Sequence, residues 1–217
     1  MKSTTLKQSN PSTTRGTERC ALLFEVATDL FLKHGFNNVS LDQIVEQAGG
    51  SKATIYKYFG SKKGLFLEIC KSRCNRFTTQ IEQAFQHHHS DFKLQLKNLL
   101  NDLFKAFTDE KSSAFAKLLV LVSQENPDLS QELYNLGPKH AHQLLAKHLQ
   151  KAHEQHQIYC SNPHNSAVYL LGFFHNTHWR IMVGLPPLDE NENIEQQIDY
   201  IVNIFIEGHQ PPSNFKI

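Results

Sequence analysis

Two short segments on either side of Gly49-Gly50 constrain the fold more than any other feature of this chain. Ser40 is a favourable helix N-cap, and Gln43 lies three positions later, which is the capping-box pattern that begins a helix. The two glycines end that helix because glycine readily adopts the backbone angles of a sharp turn. Ser51 then caps a second short helix. Together these features predict a helix-turn-helix over residues 40–59.

The second of these helices has an apolar side, formed by Ile55 and Phe59, and a polar side rich in lysine and tyrosine. In a helix-turn-helix this helix lies in the major groove of DNA while the first helix crosses the backbone. The residues predicted to contact DNA are Ser40, Ser51, Lys52, Ala53, Thr54, Tyr56, Lys57, Tyr58 and Lys62. The pattern alone also fits an ordinary helical corner whose aromatic side chains belong to the core.

Chemistry divides these side chains by their expected roles. The lysines are predicted phosphate contacts, which position a protein without choosing a sequence, and the serines and Tyr58 are predicted neutral donors to phosphate. Thr54 and Tyr56 are the candidates for base edges and thymine methyl groups. Ala53 is small enough to allow a close approach to the groove.

The charge of the chain is unevenly distributed. Residues 1–75 contain 11 Lys and Arg against 6 Asp and Glu, a net charge of +5, and the remainder contains 11 against 15, a net charge of −4. A basic module on an acidic body is typical of a protein that binds nucleic acid at one end. Because a few charges decide the difference, chance asymmetry is the alternative.

The run from Thr17 to Phe77 resembles the TetR family of bacterial transcriptional regulators. The matching residues are Ala27, Leu30-Phe31, Gly35-Phe36, Ser40-Leu41, Ile44-Val45, Ala48-Gly49, Ser51–Phe59, Ser61-Lys62 and Leu65-Phe66. Gly50 replaces a small aliphatic residue that is usual in the family, and Gly64 replaces a frequent acidic residue. We therefore expect a looser turn and a weaker start to the helix after the helix-turn-helix. The resemblance implies a ligand-responsive repressor that binds double-stranded DNA as a homodimer.

Two helices predicted near the C-terminus, over residues 163–183 and 191–208, are apolar on more than one side. Such helices bury more than one face, which indicates a dimer interface, with a thick monomer core as the alternative. The predicted interface residues are Leu170, Phe174, Ile181, Ile198, Ile201, Val202 and Phe205.

An effector pocket is implied by the family resemblance rather than by periodicity. The predicted pocket residues are Phe104, Phe107, Phe115, Leu119, Val122, Tyr169, Phe173, His175, Asn176 and Trp179. A mostly apolar lining with few polar groups suits a small, mostly apolar effector of unknown identity. Plain core packing is the alternative for each of these residues.

Helical periodicity recurs along the chain, and no segment shows the alternation of a strand. We therefore predict an all-α protein of about nine helices. The predicted domains are a flexible arm over 1–16, a DNA-binding domain over 17–77, an effector-binding and dimerisation domain over 78–210 and a tail over 211–217.

Several functional classes find no support in the sequence. No apolar run approaches the ~20 residues that span a bilayer, and the N-terminus lacks the apolar segment of a signal peptide, so we expect a cytoplasmic protein without a membrane partner. The four cysteines fit no zinc spacing. His153 and His156 have no accompanying carboxylate or cysteine pattern, so no metal site is predicted.

Enzymatic function also lacks a motif, because no phosphate-binding loop or nucleophile pattern occurs. We therefore predict a regulator that needs no cofactor and binds a palindromic operator. A DNA-binding architectural protein without an effector, and an all-α enzyme, are the open alternatives.

Overall fold

The computed structural model describes residues 14–86 and 91–211, with side chains from residue 18 onward. The described residues form eleven helices and contain no β-strand, so the all-α prediction is confirmed. The helices are α1 (Thr14–His34), α2 (Leu41–Ala48), α3 (Lys52–Phe59), α4 (Lys62–Ala84), α5 (Phe92–Thr108), α6 (Glu110–Glu125), α7 (Pro127–Leu136), α8 (Pro138–Glu154), α9 (Pro163–Gly172), α10 (His175–Met182) and α11 (Ile194–Gly208). None of these helices is long and apolar enough to cross a membrane.

The chain divides into two compact units between Ser72 and Arg73. Helix α1 begins at Thr14, so residues 14–16, which the sequence assigns to the arm, are helical. Residues 1–13 of the predicted arm and 212–217 of the predicted tail lie outside the described residues.

The first unit is built on a cluster of three phenylalanine rings. The ring centroid of Phe31 lies 5.3 Å from that of Phe36 and 5.7 Å from that of Phe66, and the last two are 5.0 Å apart. All three side chains are buried, as are Ile44 of α2 and Ile55 of α3. Each short helix is therefore held in the unit by an isoleucine that faces inward, as its spacing predicts.

The second unit has one continuous apolar core. Helix α9 packs on α8, α11 on α5, and α10 on α6. Helix α11 contributes Ile198, Val202 and Phe205 to this core. An ion pair of 2.6 Å between Lys97 Nζ and an Asp199 carboxylate oxygen joins α5 to α11 at the surface.

The largest difference from the sequence prediction is at residues 173–174, where the single helix predicted over 163–183 divides into α9 and α10. The N–H groups of Phe173 and Phe174 each donate to a carbonyl three residues earlier, at 3.3 Å, which tightens the turn. Gly172, a weak helix former, immediately precedes the break. Phe174 is buried beyond it, with its ring 5.3 Å from that of Phe107.

Candidate nucleic-acid interface

The start of α2 has the capping box that its sequence predicts. Ser40 Oγ accepts a hydrogen bond from the Gln43 N–H at 3.2 Å, and the Ser40 N–H donates to Gln43 Oε1 at 2.7 Å. Two N–H groups that the helix itself cannot satisfy are thereby paired. The Ser40 side chain is exposed, so its hydroxyl proton remains available to a phosphate.

The turn between α2 and α3 depends on its two glycines. Gly49 has φ +72° and Gly50 has φ +109°, both in the region that side chains with a Cβ disfavour. Ser51 then caps α3: its Oγ accepts from the Thr54 N–H at 3.3 Å and lies 3.1 Å from Thr54 Oγ1. Gly50 is therefore required by the backbone conformation of the turn, whereas the sequence predicted only that it loosens the turn.

Helix α3 has one inward side and one outward side. Ile55 is fully buried, and Phe59 is half-buried with its ring 5.6 Å from that of Phe24. Thr54 is half-buried. The exposed side chains of the helix are Lys52, Ala53, Tyr56, Lys57 and Tyr58. The sequence predicts six side chains of α3 to face DNA, and five of them are exposed.

Lys52 is paired across the turn with α2. Its Nζ lies 2.9 Å from one carboxylate oxygen of Asp42 and 3.1 Å from the other. The hydrogen bond and the negative charge of Asp42 raise the pKa of Lys52. The carboxylate of Asp42 therefore lowers the attraction of Lys52 for a phosphate, although both side chains are exposed and such an ion pair is weak.

Lys62 is engaged with the backbone rather than with solvent. Its Nζ donates to the carbonyl oxygens of Phe36, Asn37 and Val39 at 2.9, 3.3 and 2.8 Å, and it lies 4.6 Å from the Phe36 ring centroid. Burial lowers the pKa of Lys62. This ammonium has three N–H bonds and three carbonyl partners, so it ties the first turn of α4 to the segment before α2.

Gly64 allows a close backbone approach. A Cβ at this position would overlap the carbonyl oxygen of Phe59, the last residue of α3. The Gly64 N–H donates to Ser61 Oγ at 3.0 Å, so α4 begins with a capping bond although the frequent acidic residue is missing. Glycine at position 64, in place of the acidic residue frequent in the family, therefore allows α4 to approach the end of α3. The sequence did not reveal this contact.

A cleft of about 360 Å³ opens between α1 and α3. Its lining residues are Arg19, Cys20, Leu23, Ala53, Thr54, Lys57, Tyr58 and Phe59. Arg19 was not among the predicted DNA contacts, which all lie between Ser40 and Lys62. Its positive charge within the basic N-terminal module was the only sequence signal for such a role.

The predicted pocket residues of the second unit fall into two groups. Phe104, Phe107 and Phe173 pack against the core, and Phe115 and Val122 are buried. Leu119 is half-buried, whereas Tyr169, His175, Asn176 and Trp179 are exposed on α9 and α10. The predicted pocket residues of α5 and α6 thus lie wholly or partly in the interior. Of the five predicted between positions 169 and 179, four face solvent.

The predicted interface residues lie mainly inside the subunit. Those with at most 8% exposure are Leu170, Phe174, Ile181, Ile198, Val202 and Phe205. Ile201 is half-buried. An apolar stripe fixes which residues share a face of a helix, but it does not say whether that face meets the same chain or a second copy.

Other apolar side chains of the same region are exposed. They are Tyr169, Trp179, Val183, Leu185, Tyr200 and Ile204. The sequence assigned two of these to the pocket and none to the interface.

Comparison with known proteins gives two family matches. Residues 23–69 match the model of bacterial regulatory proteins of the tetR family. Residues 94–210, more than half of the chain, match the model of the AefR-like transcriptional repressor C-terminal domain.

Individual relatives agree with these matches. The HTH-type transcriptional regulator SAB2452 of Staphylococcus aureus is 31% identical over 88 residues, which are 41% of this chain and 47% of the relative. The HTH-type transcriptional repressor ComR of Escherichia coli is 26% identical over 117 residues, 54% of this chain and 56% of the relative. The chain thus spans about half the length of these curated relatives.

A solved structure extends the likeness along the chain. The flavonoid-responsive regulator FrrA superposes with a TM-score of 0.74 at 27% identity, over 91% of this chain and 100% of that chain. With the geometry of residues 40–59 and the two family matches, this likeness leads to one assignment: the chain belongs to the TetR family of bacterial regulatory proteins.

Proposed function

We propose that this protein represses transcription by binding a palindromic operator in double-stranded DNA as a homodimer, and that a small, mostly apolar effector releases it. The observation that carries the proposal is the two-sided character of α3. This helix buries Ile55 completely and leaves lysine and tyrosine side chains exposed. Such a helix is held firmly on one side and offers cations and phenols on the other, with the half-buried Thr54 between the two sides.

Two copies of α3 are needed to read an operator well, because one helix of eight residues reaches few bases. A two-fold dimer presents its recognition helices to half-sites about 34–36 Å apart, one turn of DNA. The operator then repeats the symmetry of the protein and is palindromic. Binding of this kind places the protein in the cytoplasm with the chromosome.

A second copy would cover exposed apolar side chains on the C-terminal helices. Trp179 is 63% exposed and Tyr200 is 69% exposed, and Ile204 lies one helical turn after Tyr200 on α11. Exposed aromatic residues of this size are enriched in protein–protein interfaces. Under this proposal the buried residues first assigned to the interface, such as Ile198 and Val202, support it from beneath.

The effector is proposed to be apolar because the interior of α5 and α6 is rich in phenylalanine. Phe107 stacks on Phe77 at 4.8 Å between ring centroids, and its ring also contacts His178 at 4.7 Å. FrrA, which shares the fold at 27% identity, is named for its response to flavonoids. Planar aromatic compounds are therefore the first class to test on this chain.

The test of DNA recognition uses duplex DNA from upstream of the protein's own gene. Tyr56→Ala should weaken binding to the operator by about 1–3 kcal/mol while binding to unrelated DNA stays unchanged, because Tyr56 is proposed to contact base edges. Glu25→Ala, an exposed change on α1, is the matched control. Equal losses on both DNA sequences would refute the role of Tyr56 in specificity.

Effector response separates a repressor from an architectural DNA-binding protein. A panel of flavonoids and other aromatic compounds should contain at least one that lowers operator affinity, since a ligand that prefers the unbound conformation shifts the population away from DNA. A protein that binds DNA equally well with every compound would favour the architectural alternative.

A further inference from the structure

The cleft between α1 and α3 lies beside the residues that are proposed to read DNA. Thr54 and Lys57 of α3 form one wall, and Arg19, Cys20 and Leu23 of α1 form the other. Most of the lining is apolar, but Arg19 and Lys57 give it a cation on each side. No acidic residue lines it. An anion therefore fits this cleft better than a neutral or cationic ligand.

Four cations in or beside the helix-turn-helix, Lys52, Lys57, Lys62 and Arg19, differ in what they already bind. Lys62 donates to three carbonyl oxygens, and Lys52 is held by Asp42. The Nζ of Lys57 lies 5.5 Å from the ring centroid of Tyr58, and among the described residues neither the Lys57 side chain nor the Arg19 side chain has a hydrogen bond or an ion pair. Two of the three lysines predicted as phosphate contacts are thus engaged by protein groups, and of these four cations Lys57 and Arg19 have no such partner among the described residues.

The guanidinium of Arg19 extends from α1 to the turn of the helix-turn-helix. Its Nη2 atom lies 2.7 Å from the point that a Cβ of Gly50 would occupy. Gly50 has φ +109° and no side chain, so the guanidinium lies directly over the backbone of the turn. Arg19 therefore brings its charge to the beginning of α3, although it belongs to a different helix.

We propose that Arg19 and Lys57 bind the same backbone phosphate of DNA at the mouth of this cleft. The ligand class is a phosphodiester, and the site rests on the proposed function. An arginine offers two parallel N–H donors to phosphate oxygens, whereas a lysine offers a compact point charge. Bound from α1 and α3 together, the phosphate fixes the depth at which α3 enters the groove, and the contact itself reads no base.

The test measures binding of the full chain to a duplex of about 30 base pairs from upstream of its own gene, at about 50 to 200 mM salt. The variants are Arg19→Ala, Lys57→Ala and the double variant. The matched control is Lys33→Ala, an exposed cation at the other end of α1, about 21 Å along the helix from Arg19. Because Arg19 and Lys57 are exposed, circular dichroism should show unchanged folding.

We expect each single variant to lose about tenfold in affinity at the lowest salt and to show a shallower salt dependence, while the control changes neither. The double variant should lose less than the product of the two single losses, because both side chains bind one phosphate. Arg19→Lys should recover part of the affinity, since it keeps the charge but not the paired donors.

Two results would overturn the shared site while leaving the proposed function intact. One is an Arg19→Ala variant that binds like the Lys33→Ala control. The other is a double variant whose loss equals the product of the single losses, which would assign the two cations to separate phosphates. A wild-type chain that binds no duplex at any salt would overturn both the site and the proposed function.

Discussion

Helices α3 and α11 both bury one side and expose the other, but their exposed sides differ in chemistry. The exposed side of α3 carries Lys57, Tyr56 and Tyr58, whereas that of α11 includes Tyr200 and Ile204. A cationic surface suits the phosphates of DNA, and large apolar side chains suit another protein surface. The buried side of each helix holds it in place, and the chemistry of its exposed side indicates its partner.

The largest expected change is a loss of stability in the first unit, which contains α3, while α11 in the second unit stays intact. Phe31→Ala removes a fully buried ring from the cluster with Phe36 and Phe66, and should lower the free energy of unfolding of the first unit by about 3–5 kcal/mol. Chemical denaturation followed by circular dichroism measures this change. DNA binding should be lost while self-association persists.

The control for this change is Leu22→Ala on the same helix, where the side chain is 48% exposed and the expected loss is small. If Phe31→Ala abolished self-association as well as DNA binding, the separation between the two exposed surfaces would be contradicted.

The next effect concerns the apolar surface. Trp179→Ala should weaken self-association by about 2 kcal/mol or more, because large exposed aromatic residues dominate interfaces when a partner covers them. Sedimentation equilibrium measures the dissociation constant. Leu94→Ala, a change of a half-exposed leucine on α5, is the matched control and should leave the constant unchanged. A monomeric wild-type chain would contradict the interface itself.

Substitution of Lys62 distinguishes the DNA-phosphate contact predicted from the sequence from the backbone hydrogen bonds seen in the structure. Lys62→Met removes hydrogen bonds to three carbonyl oxygens and should lower the free energy of unfolding by about 1.5–3 kcal/mol. Urea denaturation measures it, with exposed Lys57→Met as the control that leaves stability unchanged. A Lys62→Met protein of normal stability but weaker DNA binding would favour the phosphate contact that the sequence predicts.

Gly64 tests how closely α3 must approach α4. Gly64→Ala places a Cβ against the Phe59 carbonyl oxygen, so one of the two helices must shift, at about 1–3 kcal/mol. We expect lower thermal stability and weaker operator binding. Gly172→Ala at the end of α9, where a Cβ meets open space, should be neutral or slightly stabilising. Unchanged stability in Gly64→Ala would contradict the close approach.

The smallest effect is a pH dependence confined to the second unit. Burial, followed by the nearby charge of His175, lowers the pKa of His178 below its usual 6.5. Between the two pKa values the unfolded chain binds more protons than the folded chain, so stability should fall as the pH drops below about 6.5. Thermal unfolding at several pH values measures this, and His178→Gln should reduce the dependence.

Local features of the helix-turn-helix could be predicted because their causes lie within a few residues. The capping box of Ser40 and the cap of Ser51 depend on partners three positions away, and both form as predicted. The inward positions of Ile44 and Ile55 follow from helical spacing and one buried side.

Long-range features could not be predicted because their partners are far away in the sequence. The carbonyl oxygens bound by Lys62 lie 23 to 26 residues earlier, and nothing in the local pattern marks them. The approach of Arg19 to Gly50 and that of Gly64 to Phe59 are likewise consequences of tertiary packing.

The C-terminal helices illustrate a different limit. The periodicity of α11 identifies Ile198 and Val202 as buried, but burial within the subunit and burial against a second copy give the same pattern. The exposed Trp179 on α10 was assigned to a pocket from the family resemblance, which does not fix which side chains of a helix face inward. Only the three-dimensional arrangement separates these sets of residues.

The central claim is that two copies of the chain present α3 to one symmetric DNA site. Selection of bound sequences from a random duplex library with the full chain, followed by sedimentation of the recovered complex, tests it most directly. We predict a palindrome with half-sites one helical turn apart, bound by an even number of subunits. A single asymmetric site bound by one subunit, or no enrichment at all, would contradict it.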